Sequence, residues 1–288
     1  MPINASAVGA ETEPYDIDVT ARRCLAYAAG LGLTNDVYFD DAGPGGIIAS
    51  PAMVVAMEWP ASRDIRETAT FGATPEERIR TVHAQQDTQF HRPIRPGDRL
   101  RATGRIVTVK RIKPGAMTVL RLELADDTGA PVATTFTTGI YRGVEIAGAD
   151  QVAETAPDWP EMAASGEQAE TALPIAREMP HVYSECADIW NPIHTECAVA
   201  LAAGLPDIIL HGTATWALAL QTVIDAHADG DPARLARFSG RFTGMVIPGT
   251  EIRVRHAAAS GADGGAVFDV LNAEGAVAIS DGKALLRD

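Results

Sequence analysis

Asp188-Ile189-Trp190-Asn191-Pro192-Ile193-His194, followed downstream by Ile209-Leu210-His211-Gly212, is the most telling part of the chain. Asn-Pro reads as a turn, because Asn hydrogen-bonds its own backbone and Pro presets φ. Pro also suits a first helical position, so His194 is presented where a helix begins. Gly212 opens a second, longer helix, Gly212–Ala228, rich in Ala and Leu. The first N–H groups of a helix have no intrahelical acceptor, and the helix dipole adds partial positive charge there. An imidazole beside such a helix start is equipped to move a proton next to a carbonyl whose oxygen the amides hold. A His at a helix start is ordinarily a cap or a solvated residue. The Asn-Pro turn and the later Gly212 are what favour the catalytic reading here.

The rest of the chain bounds that reading. Its 288 residues are enough for one large domain or two ordinary ones, and 46% hydrophobic against 22% charged is a globular balance. A net charge of −14 argues against nucleic acid and anionic membranes as partners. It leaves room for a small anionic ligand at a local basic cluster. No uninterrupted apolar run reaches the roughly 18 residues of a membrane span, and the first residues lack the pattern of a secretion signal. Cys24, Cys186 and Cys197 are odd in number and without metal-ligand spacing. A reducing, cytoplasmic setting with no metal and no bound cofactor is expected.

The chain says much the same thing twice, at an offset of about 150 residues. Phe90-His91-Arg92-Pro93-Ile94-Arg95-Pro96-Gly97 parallels Phe242-Thr243-Gly244-Met245-Val246-Ile247-Pro248-Gly249. Asn35-Asp36-Val37-Tyr38 answers Asn191-Pro192-Ile193-His194, and Ile47-Ile48-Ala49-Ser50-Pro51 answers Ile208-Ile209-Leu210-His211-Gly212. Duplication is the economical explanation. Residues 1–144 form the first half, 145–175 read as an acidic linker with Pro157, Pro160 and Pro174, and 176–288 form the second half. Trp159 is expected to pin the linker to a surface.

Each half is expected to hold a short helix (Ala21–Gly30 and Thr195–Ala203), a loop, a longer apolar helix and then strands. Gly212–Ala228 is apolar nearly all round, which predicts burial on most sides. Leu100–Lys110, Thr118–Leu124 and Val132–Tyr141 are the expected strands of the first half, with a turn at Asp126-Asp127-Thr128-Gly129. Ile252–His256, Ala266–Leu271 and Ala276–Ile279 are those of the second. The class is α+β, with an antiparallel sheet wrapped around a central helix in each half.

At these residues the chain resembles the MaoC-like dehydratases, including the R-specific enoyl-CoA hydratases, whose fold is the hot-dog. The resemblance rests on Tyr183, Asn191-Pro192-Ile193-His194, Ala200 and Ile209-Leu210-His211-Gly212, and extends over nearly the whole chain as a double hot-dog with a divergent first half. It implies a hydratase or dehydratase acting on a 2-enoyl-CoA or 3-hydroxyacyl-CoA thioester, with the thioester as substrate rather than cofactor. The family signature places an Asp two residues before the Asn, where this chain has Ile189. Two registers are open: a one-residue insertion brings Asp188 into that role, and without it isoleucine stands there.

The resemblance makes His194 the acid/base group, Asp188 its partner if aligned, and the Gly212 amide the oxyanion donor. Asn191 shapes the turn and could touch substrate, His211 is expected near the helix start, and Trp190 is a candidate pocket wall. Arg92 and Arg95, in the basic run that continues to Arg99, Arg101 and Arg105, are candidates for the phosphates of coenzyme A. The plainer reading of that run is a solvated strand face. In the first half Tyr38 replaces the His and Pro51 the Gly; proline has no N–H to donate, so this half reads as catalytically dead. An acyl-CoA substrate and a homodimer are the expected associations. The rival functions are a non-catalytic acyl-CoA binding protein or partner subunit, for which Ile189 argues, and a hot-dog thioesterase.

Overall fold

In a computed structural model that describes residues 2–68, 70–78, 81–261 and 264–287, the chain divides into two compact units. One comprises Met1–Ile17, Met57–His91 and Arg99–Asp158; the other comprises Asp18–Ala56, Arg92–Asp98 and Trp159–Asp288. Packing therefore does not divide the chain at residue 144. Helix α1 (Ala21–Gly30) and the Asn35–Tyr38 segment belong with the second unit.

The first unit is built on strands β2 (Tyr15–Asp18), β3 (Thr81–Phe90), β4 (Arg99–Ile112), β5 (Gly115–Asp126) and β6 (Pro131–Arg142), in the order β2-β4-β5-β6-β3. Buried and exposed residues alternate along β4 and β5, as a half-buried strand requires. Asp126 closes the β5–β6 turn by accepting from the N–H groups of Thr128 and Ala130 at 3.0 Å each, and Gly129 supplies φ 85°. Short strands border this sheet: β1 (Ile3–Asn4) pairs with β7 (Ile146–Ala147), and β8 (Gln151–Val152) pairs with β4. Helix α2 (Val54–Glu67) sets Ala61 and Ile65 into a core with Ile106, Val109, Leu120 and Leu122. A short helix, α3 (Pro75–Arg78), precedes β3.

The second unit orders its strands β10-β13-β12-β11-β9, all antiparallel: β9 (Ala163–Pro174), β10 (Leu235–Phe242), β11 (Glu251–Ser260), β12 (Gly265–Leu271) and β13 (Val277–Leu286). Helix α6 (Gly212–His227) lies against β10, β11 and β12, and every residue from Ala214 to Ile224 is buried. All-round burial follows from its nearly uninterrupted apolar sequence. Two shorter helices, α4 (Met179–Ala187) and α5 (Cys197–Ala202), precede it. None of the helices among the described residues is long and apolar enough to cross a membrane.

Two expectations need correction. The second part of the acidic stretch 145–175 is not a linker: β9 takes up Ala163–Pro174 and pairs with β11 from Glu251 to Ser260. It is an exposed edge strand, so its residues never needed the apolar alternation that marks a half-buried strand. Trp159, just before it, lies under the Arg237 guanidinium, 4.1 Å from its ring centre. The structural counterpart of α1 is α4, not the helix near Thr195–Ala203. The two pack together so closely that a Cβ on Gly30 would lie 2.6 Å from Cys186 Cβ.

Glu58 on α2 is a buried carboxyl in the first unit. Oε1 accepts from the Thr135 hydroxyl at 2.8 Å, whereas Oε2 has no partner. Burial pushes its pKa up to about 8, against which the Thr135 hydrogen bond works only in part. A raised folded-state pKa means the native state holds a proton that the unfolded chain releases above about 4.5. Stability is then lost as pH rises toward 8. Glu58→Gln should be more stable than wild type by more than about 1 kcal/mol near neutral pH. The gap should widen from about pH 4.5 to 8 and then level off, as read by denaturant melts across that range.

Candidate active site

The site is assembled within the second unit from the end of α4, the turn after it, and the start of α6. Helix α4 closes with Asp188 in the left-handed conformation, φ 55° and ψ 40°, and the Ile189 N–H donates to the Ser184 carbonyl at 3.1 Å. This is the geometry of a Schellman cap. It turns the residue at the left-handed position outward and packs the following apolar residue back on the helix. Asp188 is accordingly exposed and Ile189 is 4% exposed. The Asp188 N–H donates to the Ser184 carbonyl, but its carboxylate makes no hydrogen bond or ion pair among the described residues and does not bond the imidazole.

From there Asn191 runs extended, and its side-chain oxygen accepts from the Ile193 N–H at 3.4 Å. Pro192–His194 form one 3-10 turn, closed by the His194 N–H donating to the Asn191 carbonyl at 3.0 Å. Asn191 thus shapes the turn. His194 Nδ1 lies 2.8 Å from the carbonyl oxygen of Ile209. A carbonyl can only accept, so Nδ1 carries the proton and Nε2 holds the lone pair. Burial depresses the His194 pKa to about 4, the Ile209 carbonyl opposing that shift. The ring is a neutral base at physiological pH.

His211 stacks on it, ring centres 3.7 Å apart and planes inclined by 26°. The His211 Nε2 lies 3.2 Å from the Ser184 hydroxyl. Burial first, and the neighbouring His194 second, lower its pKa to about 2, against weak opposition from the Ile189 backbone. His211 is therefore a fully buried neutral ring at the N-cap of α6, where its carbonyl accepts from the Ala214 and Thr215 amides at 3.0 and 3.1 Å. The amides of Gly212 and Thr213 come before those bonds and meet no acceptor among the described residues. They are the free donors of the helix start. A Cβ on Gly212 would lie 3.1 Å from the Phe242 ring, so the absence of a side chain allows that close approach.

Ser184 and Thr213 were not anticipated. Tyr183 donates to Thr213 Oγ1 at 3.2 Å, and Ser184 holds His211, so neighbouring residues of α4 anchor the start of α6. The role of Ser184 was hidden because α4, which carries it, was itself unrecognised. Of the other expected residues, Trp190 is 55% exposed beside the turn. Arg92 is tied to Asp98 at 2.8 Å and to the Pro93 carbonyl at 2.9 Å; Arg95 donates to the Gly45 carbonyl at 2.7 Å. Both arginines brace the 92–98 loop. No three His, Cys, Asp or Glu side chains among the described residues gather where they could share a metal ion.

The counterpart segment of the first half also lies in this unit. Asp36–Tyr38 form a matching 3-10 turn after Asn35, and Pro51 begins the turn that leads into α2. The Tyr38 hydroxyl is buried and donates to Gln221 Oε1 at 2.6 Å. The phenol is committed to an amide, and the proline in place of the glycine removes one first-turn amide.

Family models match in two places: a FAS1-like dehydratase domain region over residues 6–135, and a MaoC-like domain over residues 163–275. Relatives from Mycobacterium tuberculosis include 3-hydroxyacyl-thioester dehydratase Y, 28% identical over 256 residues that span 86% of this chain and 85% of that protein. Another is enoyl-CoA hydratase ChsH3, 26% identical over 272 residues, 88% of this chain and 89% of that protein. A solved MaoC-like dehydratase from Phytophthora capsici is 20% identical and superposes with a TM-score of 0.86, covering 99% of each chain. The MaoC-like match covers residues 163–275, and the chain has the double hot-dog fold.

Two outcomes follow from this geometry. Gly212→Ala should fold but lower turnover far more than it lowers Tm, because the added methyl pushes on Phe242 where the free amides lie; adding Phe242→Leu should restore part of the rate. Because His194 and His211 refuse protons that the unfolded chain accepts below about 6.5, native stability should fall as pH drops from there toward 4. A His194→Gln, His211→Gln double variant should show a flatter slope in denaturant melts over that window.

Proposed function

We propose that the protein adds water across the double bond of a 2-enoyl-CoA thioester and, in reverse, dehydrates a 3-hydroxyacyl-CoA. The observation that carries this reading is a neutral imidazole with a free Nε2, stacked on the N-cap residue of a buried helix whose first two amides have no acceptor. Addition of water at Cβ drives negative charge onto the thioester oxygen. The Gly212 amide, with Thr213 behind it, is placed to receive that charge, a contribution of about 2.7–4 kcal/mol per donor in measured cases. His194 Nε2 takes the proton of the attacking water. The MaoC-like domain and the names of the mycobacterial relatives support the same reaction class. On this reading the acyl-CoA is substrate, no cofactor takes part, and a cytoplasmic homodimer is the expected setting.

Purified protein mixed with crotonyl-CoA and longer enoyl-CoAs should bleach the absorbance of the conjugated thioester without releasing free thiol. His194→Ala should lower kcat/KM by about 10²–10⁴. Thiol release would identify a thioesterase instead. The burial of Ile189 where a carboxylate was expected favours one second reading, an acyl-CoA binding protein. Tight binding of saturated and unsaturated thioesters alike, with no turnover of any, would establish it.

A further inference from the structure

The outer face of the first unit's sheet, turned away from α2, carries a cleft of about 140 Å³. Strand alternation makes its floor. Along β5 the side chains of Ala116, Thr118 and Leu120 are buried inward, so Met117 and Val119 face outward. On β4, Val109 joins the core, which sets Thr108 and Lys110 on the outer side. One wall is the segment 152–156, hung on β4. Thr108 pairs with Val152, the Ala153 N–H donates to the Val107 carbonyl at 2.9 Å, and the Thr108 hydroxyl donates to the Glu154 carbonyl at 3.2 Å.

The charges in this cleft are not balanced. Both of its carboxylates are engaged: Glu154 by Arg121 at 3.5 Å, and Asp87, buried on β3, by a partner of its own. The Lys110 ammonium makes no hydrogen bond or ion pair among the described residues, nor do the Thr138 hydroxyl and the Gln85 side-chain amide. Gln85 lies opposite Thr138, which lies opposite Val119. Across the floor the order is therefore cation, apolar carbon, then hydroxyl and amide. Lys110 and Thr138 stand two strands apart, roughly 10 Å between backbones. The space holds about ten waters, room for a molecule of roughly ten heavy atoms.

We propose that this cleft binds a small carboxylate with an apolar body and a hydroxyl at its far end. The carboxylate pairs with Lys110, a charge-assisted contact. Met117, Val119 and Phe136 take the carbon chain out of water. The far hydroxyl bonds Thr138 and Gln85, whose amide both donates and accepts. A cationic ligand meets no free carboxylate here, and a wholly apolar one strands the ammonium without water. Binding makes and breaks no covalent bond, and the proposal stands apart from the hydratase reading.

The full chain is titrated in a calorimeter with 6-hydroxyhexanoate, hexanoate, hexanol and hexylamine. The hydroxyacid should bind best and hexanoate about threefold to tenfold more weakly. The alcohol and the amine should not bind at about 10 mM. Lys110→Met keeps the length of the stem without its charge and should weaken both carboxylates by about tenfold or more. Thr138→Val should bring the hydroxyacid down to the level of hexanoate and leave hexanoate unchanged. In wild type the Met117 methyl resonance should shift during the same titration, a readout that places the ligand and needs no variant. Absence of both heat and Met117 shift with either carboxylate overturns the proposal. Undiminished binding to Lys110→Met, or hexylamine binding as well as hexanoate, overturns it too.

Discussion

Everything at the site depends on one hydrogen bond, from His194 Nδ1 to the carbonyl of Ile209 at 2.8 Å. It fixes the tautomer, and by doing so fixes which nitrogen is a base. Burial alone would lower the imidazole pKa and leave either nitrogen protonated. The carbonyl partly offsets that burial, so the ring stays a base while remaining uncharged at neutral pH. The Ile209 carbonyl is free to accept because the chain between α5 and α6 is irregular there, with its carbonyl outside any ladder. His211, two residues later, lies against the ring and starts the helix. Base, stacking partner and amide donors thus come from one short length of chain, and the distances among them are set by local geometry.

The matching segment of the first half is arranged differently. Tyr38 stands where the imidazole does, and its hydroxyl bonds Gln221 rather than a backbone carbonyl. Gln221 in turn donates to Asp225 at 2.8 Å, and Asn35 donates to the same carboxylate at 2.8 Å. These bonds brace the far turns of α6. A buried phenol needs a partner to offset its lost hydration, and the amide of Gln221 provides one. The two ends of the central helix are therefore held by matching segments: one keeps its polar side chains paired, while at the other the Gly212 and Thr213 amides and His211 Nδ1 have no partner among the described residues. Unpaired polar groups are costly in a core, and their retention at one end of α6 is what a site for a polar reacting group requires.

How much of this could be seen in the chain beforehand follows from the physics of each element. The central helix was legible because its burial is written in composition, with apolar residues on every side from Ala214 to Ile224. The strands β4, β5 and β6 were legible from their alternation and from the Asp126 turn, though each extends beyond the predicted ends. Strand β9 was not, because Ala163–Pro174 is almost wholly exposed and takes its conformation from pairing with β11, a contact with no local signature. Helix α4 was missed for a related reason. It is nine residues long with no side-chain N-cap. The position of His194 and Gly212 was foreseeable from motif alone; what lay beside them was not.

The fate of Asp188 shows why. Sequence spacing treats a carboxylate one residue out of place as nearly in place, and a bulge could have restored it. In three dimensions the decision is made by which residue takes the left-handed position at the end of α4. Aspartate tolerates that conformation better than isoleucine, because a β-branched side chain collides with its own backbone there. With Asp188 at the left-handed position, the following residue is turned back toward the helix, and isoleucine is the kind of residue that gains from such burial. Both preferences act in the same direction and neither concerns catalysis. The local energetics of ending one helix thus separate the carboxylate from the imidazole. What remains beside the imidazole is a second, stacked histidine and a helix start.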